Sequence, residues 1–351
     1  MMRVRVTRHT ITLAISFVLV VLSVVRAYAI DQQVEDRYPG AQPPPPTVQQ
    51  LEQQEEWEYD PKDHLRTGGY IDQQMGYDNN VDLDSKRHKD GFSQTMANIN
   101  GQYTILDNVK LKAGLDLFTT IYFRYNKNNI LDISPFVGLD WDIMDSLSLR
   151  TRLIYDGFFF PNDEESTFNG LYLKTYLRHY ITKDFYQEGG VEYLMRWYPD
   201  QKTYLTNGFI SDKDRFDKRV RFKYNLGYFS ENFFVGLSNE FARNDSNDTF
   251  EQYYDYWLYR LRPSIMYFFT DKFYTDLSLV YKYTHYKDRR ATNNINNVER
   301  DNTYIFNSSF YYDIKDDLTV SVTYSYSENS SNDPFEKYSG SVITAGIYYT
   351  F

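Results

Sequence analysis

Few residues in this 351-residue chain could carry out a reaction. It has no cysteine, which excludes a disulfide framework, a thiolate metal site and a catalytic thiol. Beyond His9 it has His64, His88, His179 and His285, none in a serine-containing motif with the logic of a nucleophile–base–acid triad. Only His88 and His285 fall where an outer-rim active site could use them, so the chain reads as no enzyme, with no catalytic residue and no cofactor. The segments Asn244–Asp248 and Asp78–Asp84 offer oxygen ligands of the kind calcium takes, but lack the spacing of a closed loop site. They read as solvated loops, or as loops bridged to lipopolysaccharide by divalent ions, and no metal site is assigned. A formal net charge of −10 argues against a nucleic-acid partner.

Fixed charge, by contrast, is spaced by a rule. In Arg219-Val-Arg221-Phe-Lys223-Tyr, cations take one parity and apolar groups the other; Leu318 to Ser327 alternates apolar with hydroxylated residues in the same way. A period of two is a β-strand with two chemically different faces. Such segments run 10 to 16 residues from about Thr67 onward and are rich in Tyr and Phe, of which the chain has 35 and 25. Transmembrane β-strands need roughly 9–11 residues, apolar toward lipid and polar toward the lumen. Soluble strands average about 5–6.

Fourteen strands are expected, at 68–78, 92–105, 109–124, 130–143, 147–160, 168–182, 186–198, 217–229, 232–243, 253–269, 273–286, 302–314, 318–328 and 338–351. Short turns such as Met144-Asp-Ser and Lys315-Asp-Asp alternate with long hydrophilic loops, the longest at 79–91, 200–216 and 287–301. An even strand count with short turns at one end and long loops at the other specifies an all-β, antiparallel up-and-down barrel of the Gram-negative outer-membrane type. Aromatic clusters at strand ends (Phe158, Phe159 and Phe160; Tyr253, Tyr254 and Tyr256; Phe268 and Phe269; Tyr311 and Tyr312) are expected to form interfacial girdles. The chain closes on Ile347-Tyr-Tyr349-Thr-Phe351, apolar at alternate positions. An edge strand of that kind is a template for strand addition, which assigns Ile347, Tyr349 and Phe351 as a C-terminal signal for the barrel assembly machinery.

Residues 1–29 read as a signal peptide, with Arg3, Arg5 and Arg8, an apolar stretch from Ile11 to Val25, and a cleavage site after Ala29. Residues 30–66 read as a periplasmic linker containing Pro43 to Pro46 and a Gln/Glu run, and 67–351 as the barrel.

With the polar parity turned inward, the lumen would carry the basic residues Lys110, Lys112, Arg124, Arg150, Arg152, Lys174, Arg178, Arg196, Arg219, Arg221, Lys223, Arg260, Arg262 and Lys282. The acidic ones would be Asp116, Asp132, Asp140, Asp142, Asp156, Glu192, Glu240, Asp276 and Asp313. Charges facing a pore bias which solutes pass. Arg150, Arg152, Lys174, Arg178, Arg219, Arg221 and Lys223 are the expected selectivity wall, with Asp132, Asp140 and Asp142 opposite supplying a transverse field. Inward Tyr172, Tyr176 and Tyr180 could instead form a carbohydrate-stacking track.

Gly76-Tyr-Asp-Asn-Asn80 and the stretch from Tyr324-Ser-Tyr-Ser-Glu-Asn to Phe351 resemble the outer-membrane β-barrel porin-2 family; the barrel of surface lipoprotein assembly modifiers is similar. The first resemblance implies an association with exopolysaccharide export, with polysaccharide export components as partners. The second implies a periplasmic helical-repeat domain ahead of the barrel, where this sequence has only about 37 residues. The expected function is a channel for hydrophilic solutes or an exported polysaccharide. The alternative is a closed structural or assembly barrel, plugged by the N-terminal arm or by the 200–216 loop.

Overall fold

The computed structural model describes residues 65–351, apart from Ser85, Lys86 and the side chain of Ile295. The signal-peptide and linker expectations up to residue 64 lie outside the described residues. The fourteen strands are β1 (Leu65–Asp78), β2 (Asp90–Leu106), β3 (Val109–Tyr122), β4 (Ile130–Met144), β5 (Leu147–Phe159), β6 (Phe168–Thr182), β7 (Phe185–Tyr204), β8 (Ile210–Ser230), β9 (Phe233–Ser246), β10 (Tyr256–Phe268), β11 (Phe273–Ala291), β12 (Asn294–Lys315), β13 (Leu318–Ser331) and β14 (Tyr338–Thr350). Each pairs antiparallel with its neighbours in sequence, and β14 returns to β1, so the sheet closes into a barrel with no free edge. The seam is finished by Phe351, whose backbone exchanges hydrogen bonds of 2.9 and 3.1 Å with Gly69.

The faces are inverted relative to a soluble protein. Outward side chains such as Ile71, Leu117, Leu173, Val191, Phe222, Leu279, Val322 and Ile347 are exposed and apolar. Inward ones include buried Asp72, Gln94, Glu192, Arg221, Glu240 and Thr303. Exposed apolar surface wrapping a closed sheet is stable only in contact with another apolar phase.

Two hairpins run further than the sequence suggests. The expected loops at 200–216 and 287–301 are largely strand: β7 and β8 turn at Leu205–Phe209, and β11 and β12 at Thr292 and Asn293. Above the bilayer neither face must be apolar, so the period-two signal fades although the ladder continues, held by cross-strand pairs such as Lys202–Asp214 at 2.5 Å. The tip of the β7–β8 hairpin leans sideways onto the loop before β10. There Tyr204 donates its N–H to Asp248 (3.0 Å) and accepts from the N–H of Thr249 (3.1 Å). The 200–216 segment is therefore part of the sheet and not an inserted plug.

The aromatic clusters split between the two faces, because successive strand residues cannot share one. Phe158 packs inward with Ile130, Phe168 and Tyr198, while Tyr311 packs inward with Met266 and Tyr274; Phe269 and Tyr312 point out. Two of the three phenylalanines at 158–160, and one residue of each of the 268–269 and 311–312 pairs, are thus lumenal packing.

Candidate functional site: the charged lumen wall

Register places the inward charges in tiers. Following the ladder from β3 to β11, one tier reads Lys110, Asp140, Arg150, Tyr176, Gly190, Lys223, Glu240, Arg260 and Lys282. The next, one step toward the long-loop end, reads Lys112, Gly138, Arg152, Lys174, Glu192, Arg221, Ala242 and Leu258. Nine cations (Lys110, Lys112, Arg150, Arg152, Lys174, Arg221, Lys223, Arg260, Lys282) face three anions (Asp140, Glu192, Glu240), a net of six positive charges on a chain whose overall balance is acidic.

Within the tiers the charges are not equivalent. Arg221 and Lys223 sit between two glutamates. Arg221 donates to Glu192 at 2.9 Å and lies 3.1 Å from Glu240, with its Nε poorly aligned for a hydrogen bond. Lys223 reaches Glu192 at 3.2 Å and Glu240 at 3.9 Å, and Arg260 adds a third contact to Glu240 at 3.4 Å. Tyr176 donates its hydroxyl to Glu192. The ring of Tyr176 lies flat over Gly190, where a Cβ would come within 2.2 Å of it, so this position needs glycine. Arg178 pairs with Glu188 at 2.9 Å and covers the Tyr186 ring.

Arg150 and Arg152 differ. Among the described residues neither has a carboxylate within ion-pair distance, and Arg152 is exposed toward the lumen, its guanidinium over the Phe136 ring at 5.3 Å. Lys174 lies over the Tyr172 ring at 5.1 Å. Arg219 donates to Asn244 and to the Tyr256 hydroxyl, Arg196 is buried between Gly170 and Asp217 in the ladder, and Arg262 stands beside Ser238. Asp132, Asp140 and Asp142 are not opposite this wall. They lie on β4, next to Arg150 and Arg152, and two of them are engaged locally: Asp140 by Lys112 at 2.7 Å and Asp142 by Lys110 at 3.5 Å. Asp132 accepts from Ser134, which also reaches Asp156. These strand-to-strand ion pairs join neighbours around the wall.

Alternation alone did not single out an inward aromatic arc at the short-turn end. Ring centroids follow one another from Tyr180 to Tyr186 (5.8 Å), Phe229 (5.8 Å) and Phe234 (4.7 Å), and again from Phe268 to Tyr274 (5.5 Å) and Tyr311 (5.0 Å). Tyr70 and Tyr348 continue it across the closing seam at 5.2 Å. Of the earlier tyrosine track, Tyr180 belongs to this arc, while Tyr172 and Tyr176 are engaged by Lys174 and Glu192.

At the opposite end, loops are tied to each other. Asp82 contacts His88 (2.5 Å), Lys127 (3.0 Å) and Asn128 (3.1 Å), linking the β1–β2 and β3–β4 loops. Partial burial raises the Asp82 pKa, but the hydrogen bonds from His88, Asn128 and Lys127 outweigh it and hold the carboxyl down at about 2. His285 faces outward beside Tyr283, and His179 approaches Gln187 at 3.4 Å. The two Asp/Asn segments spend their oxygens on the protein. Asp78 accepts from Tyr122, Asn244 donates to the Tyr254 carbonyl, and Asp248 accepts from Tyr204 and Phe250. Among the described residues no three His, Asp or Glu side chains converge as metal ligands.

No protein-family model and no curated protein sequence matches the chain. Solved structures do match its shape. A loop-L8 deletion of OmpT, an outer membrane protein of Vibrio cholerae, superposes with a TM-score of 0.51 at 11% identity, over 82% of this chain and 100% of that one. The outer membrane channel DcaP of Acinetobacter baumannii gives 0.50 at 11% identity, over 82% and 97%. The fold is that of an outer-membrane β-barrel. At this identity the likeness speaks for architecture alone.

Proposed function

We propose that this barrel sits in the outer membrane, exported by a signal peptide that is cleaved after Ala29, and works as a channel for hydrophilic solutes with a preference for anions. The observation that carries the reading is the pair of lumenal tiers with six surplus positive charges, set inside a wall whose outer face is apolar. Fixed charge in a low-dielectric tube focuses potential along its axis and raises the local concentration of counter-charged solute. No covalent chemistry and no cofactor enters: passage is diffusion along the wall. Arg150 and Arg152 carry the selectivity, because the glutamates beside Arg221 and Lys223 largely cancel those two. DcaP, which shares the architecture, is described as an outer membrane channel. The porin-2 resemblance extends the cargo to an exported anionic polysaccharide, with export components as periplasmic partners, lipopolysaccharide around the outer rim, and the assembly machinery reading Ile347, Tyr349 and Phe351.

Planar-bilayer recordings under a salt gradient test this. The protein is expected to give ohmic steps with an anion-directed reversal potential. The double change Arg150→Glu, Arg152→Glu should move that potential toward cations, and Arg219→Glu should move it less. An unchanged reversal potential in the Arg150/Arg152 variant would sink the assignment.

A further inference from the structure

The outer face of the barrel carries a second cluster of charge, away from the lumen. We propose that the lipid-facing side of β9 to β12 binds one molecule of lipopolysaccharide, with an acyl chain in a groove at Pro263 and its phosphates on Arg243 and Arg300. This rests on the outer-membrane placement given above, not on conduction, and assigns the lipid named there to one place on the rim.

The groove starts from a proline. β10 is an interior strand of a closed sheet, where proline is rare because it brings no N–H to the ladder. Pairing with β11 lapses at Arg262 and Pro263 and resumes at Ser264 in the same register, while pairing with β9 runs through. Beside this gap lies a groove of about 280 Å³, lined by Leu261, Pro263, Leu279, Tyr281, Tyr304 and Phe306. Leu279 is 57% exposed there. An acyl chain lying in it gains close apolar contacts from three strands at once, where a flat wall would offer fewer.

Charge is the second observation. Toward the long-loop end, register sets Arg243, Trp257, His285 and Arg300 side by side on β9, β10, β11 and β12, in the row of exposed Trp257. Arg300 is exposed and has no carboxylate within ion-pair distance among the described residues. His285 beside it has an Nδ1 without a hydrogen-bond partner. Arg243 lies 4.9 Å over the Trp257 ring and pairs with Asp245 at 2.7 Å, both side chains staying half-exposed. Lys218, the register neighbour of Asp245 on β8, is exposed too, so cations outnumber this one acid. At the same end of β4, β5 and β7 the outward residues are Leu131, Phe159 and Trp197, which leaves the positive charge gathered on one side of the barrel.

Spacing joins the two features. From His285 down to Tyr281 is four residues, about 13 Å along the strand. Tyr259 and Tyr283 lie between, in the aromatic layer that marks a headgroup boundary. Arg243 and Arg300 stand three strand spacings apart, roughly 14 Å. A disaccharide with a phosphate at each end spans that width; a single phosphodiester headgroup fills it only in part. Guanidinium groups suit phosphate because they offer paired N–H donors in a plane.

The test incubates the mature protein, folded in detergent, with purified lipopolysaccharide and reads retained lipid by native mass spectrometry. Wild type should keep one molecule, and phosphatidylglycerol at equal concentration should not displace it. Arg243→Glu, Arg300→Glu should weaken retention by about tenfold or more, since a charge-assisted contact is lost at each end of the row. Leu279→Trp fills the groove, leaves the charges in place, and should weaken retention as well. Equal retention by wild type and the charge-reversed variant would overturn the site. Full displacement by phosphatidylglycerol would overturn the choice of lipopolysaccharide. If the double variant fails to fold, Arg300→Gln decides by the same readout, with Arg300→Lys expected to recover part of the binding. A barrel that inserts into no vesicle of any composition would overturn the outer-membrane placement; one that inserts and conducts but retains no lipopolysaccharide would overturn this site alone.

Discussion

At the scale of single residues, the lumen wall separates charges that are spent from charges that are available. Glu192 is the hinge of that distinction. It is 2% exposed and takes contacts from Tyr176, Arg221 and Lys223. Removing its charge leaves two cations with Glu240 alone, and an unpaired buried charge costs roughly 3 kcal/mol. Glu192→Gln should therefore lower barrel stability by about that amount in urea titration, less whatever lumenal water recovers. The same change frees one positive charge in the outer tier, so surviving channels should become more anion-selective. Loss of stability with no gain in anion preference would mean that Arg221 and Lys223 do not face the conducting path. Which charges cancel was not legible in the sequence. Alternation assigns a face, but Lys112 meets Asp140 one step along the strand from its own ladder partner Gly138, and that offset is set by stagger between strands.

At the scale of elements, alternation was readable wherever a strand had lipid on one side, and unreadable where it did not. The spans of β3 to β6 match the expected segments closely because Leu111, Leu115, Leu173 and Leu177 must point one way and Lys112, Asp116, Lys174 and Arg178 the other. The register shifts near the short turns lie at strand ends, between Thr104 and Leu106, Asp142 and Met144, Tyr180 and Thr182, and Asp313 and Lys315, so parity survives through the membrane. The extended ends of β7, β8, β11 and β12 were missed for the opposite reason: with water on both faces, side-chain polarity carries no period. These outer elements depend on polar ties, and Asp82 is one that titrates. Its folded pKa of about 2 lies below the ordinary aspartate value, so its tie contributes stability that is complete above about pH 4 and lost as pH falls through 2. Asp333 acts alike elsewhere on the same rim: burial raises its pKa, but hydrogen bonds from Thr292 and Phe335 bring it below the ordinary value. Acidification from pH 5 to 2 should raise hydrogen exchange in 79–89 and 123–129 before the strands respond. In Asp82→Asn that step should already be present at pH 5; an unchanged exchange profile in this variant would show that the loops are held by other contacts.

At the scale of the whole molecule, the decisive property is which face of a closed sheet meets lipid, and two adjacent residues can test it. Val322 and Ser321 neighbour each other on β13. Val322 points out and is 49% exposed, while Ser321 points in toward the hydroxyl-lined stretch of Thr319, Thr323 and Ser325. In a soluble sandwich the outer position would accept a charge and the inner one would not. In a membrane barrel the order reverses, because a cation at the bilayer midplane costs roughly 2–4 kcal/mol whereas a lumenal one remains solvated. Val322→Arg should therefore lower folding yield in lipid vesicles and destabilise the barrel by about that amount. Ser321→Arg should fold nearly as well as wild type and add one positive charge to the lumen. The comparison is sensitive because backbone, strand position and neighbours are shared, so only the direction of the side chain differs. Equal tolerance of arginine at both positions would place this face of the sheet in water and remove the physical basis for reading the closed barrel as a transmembrane wall.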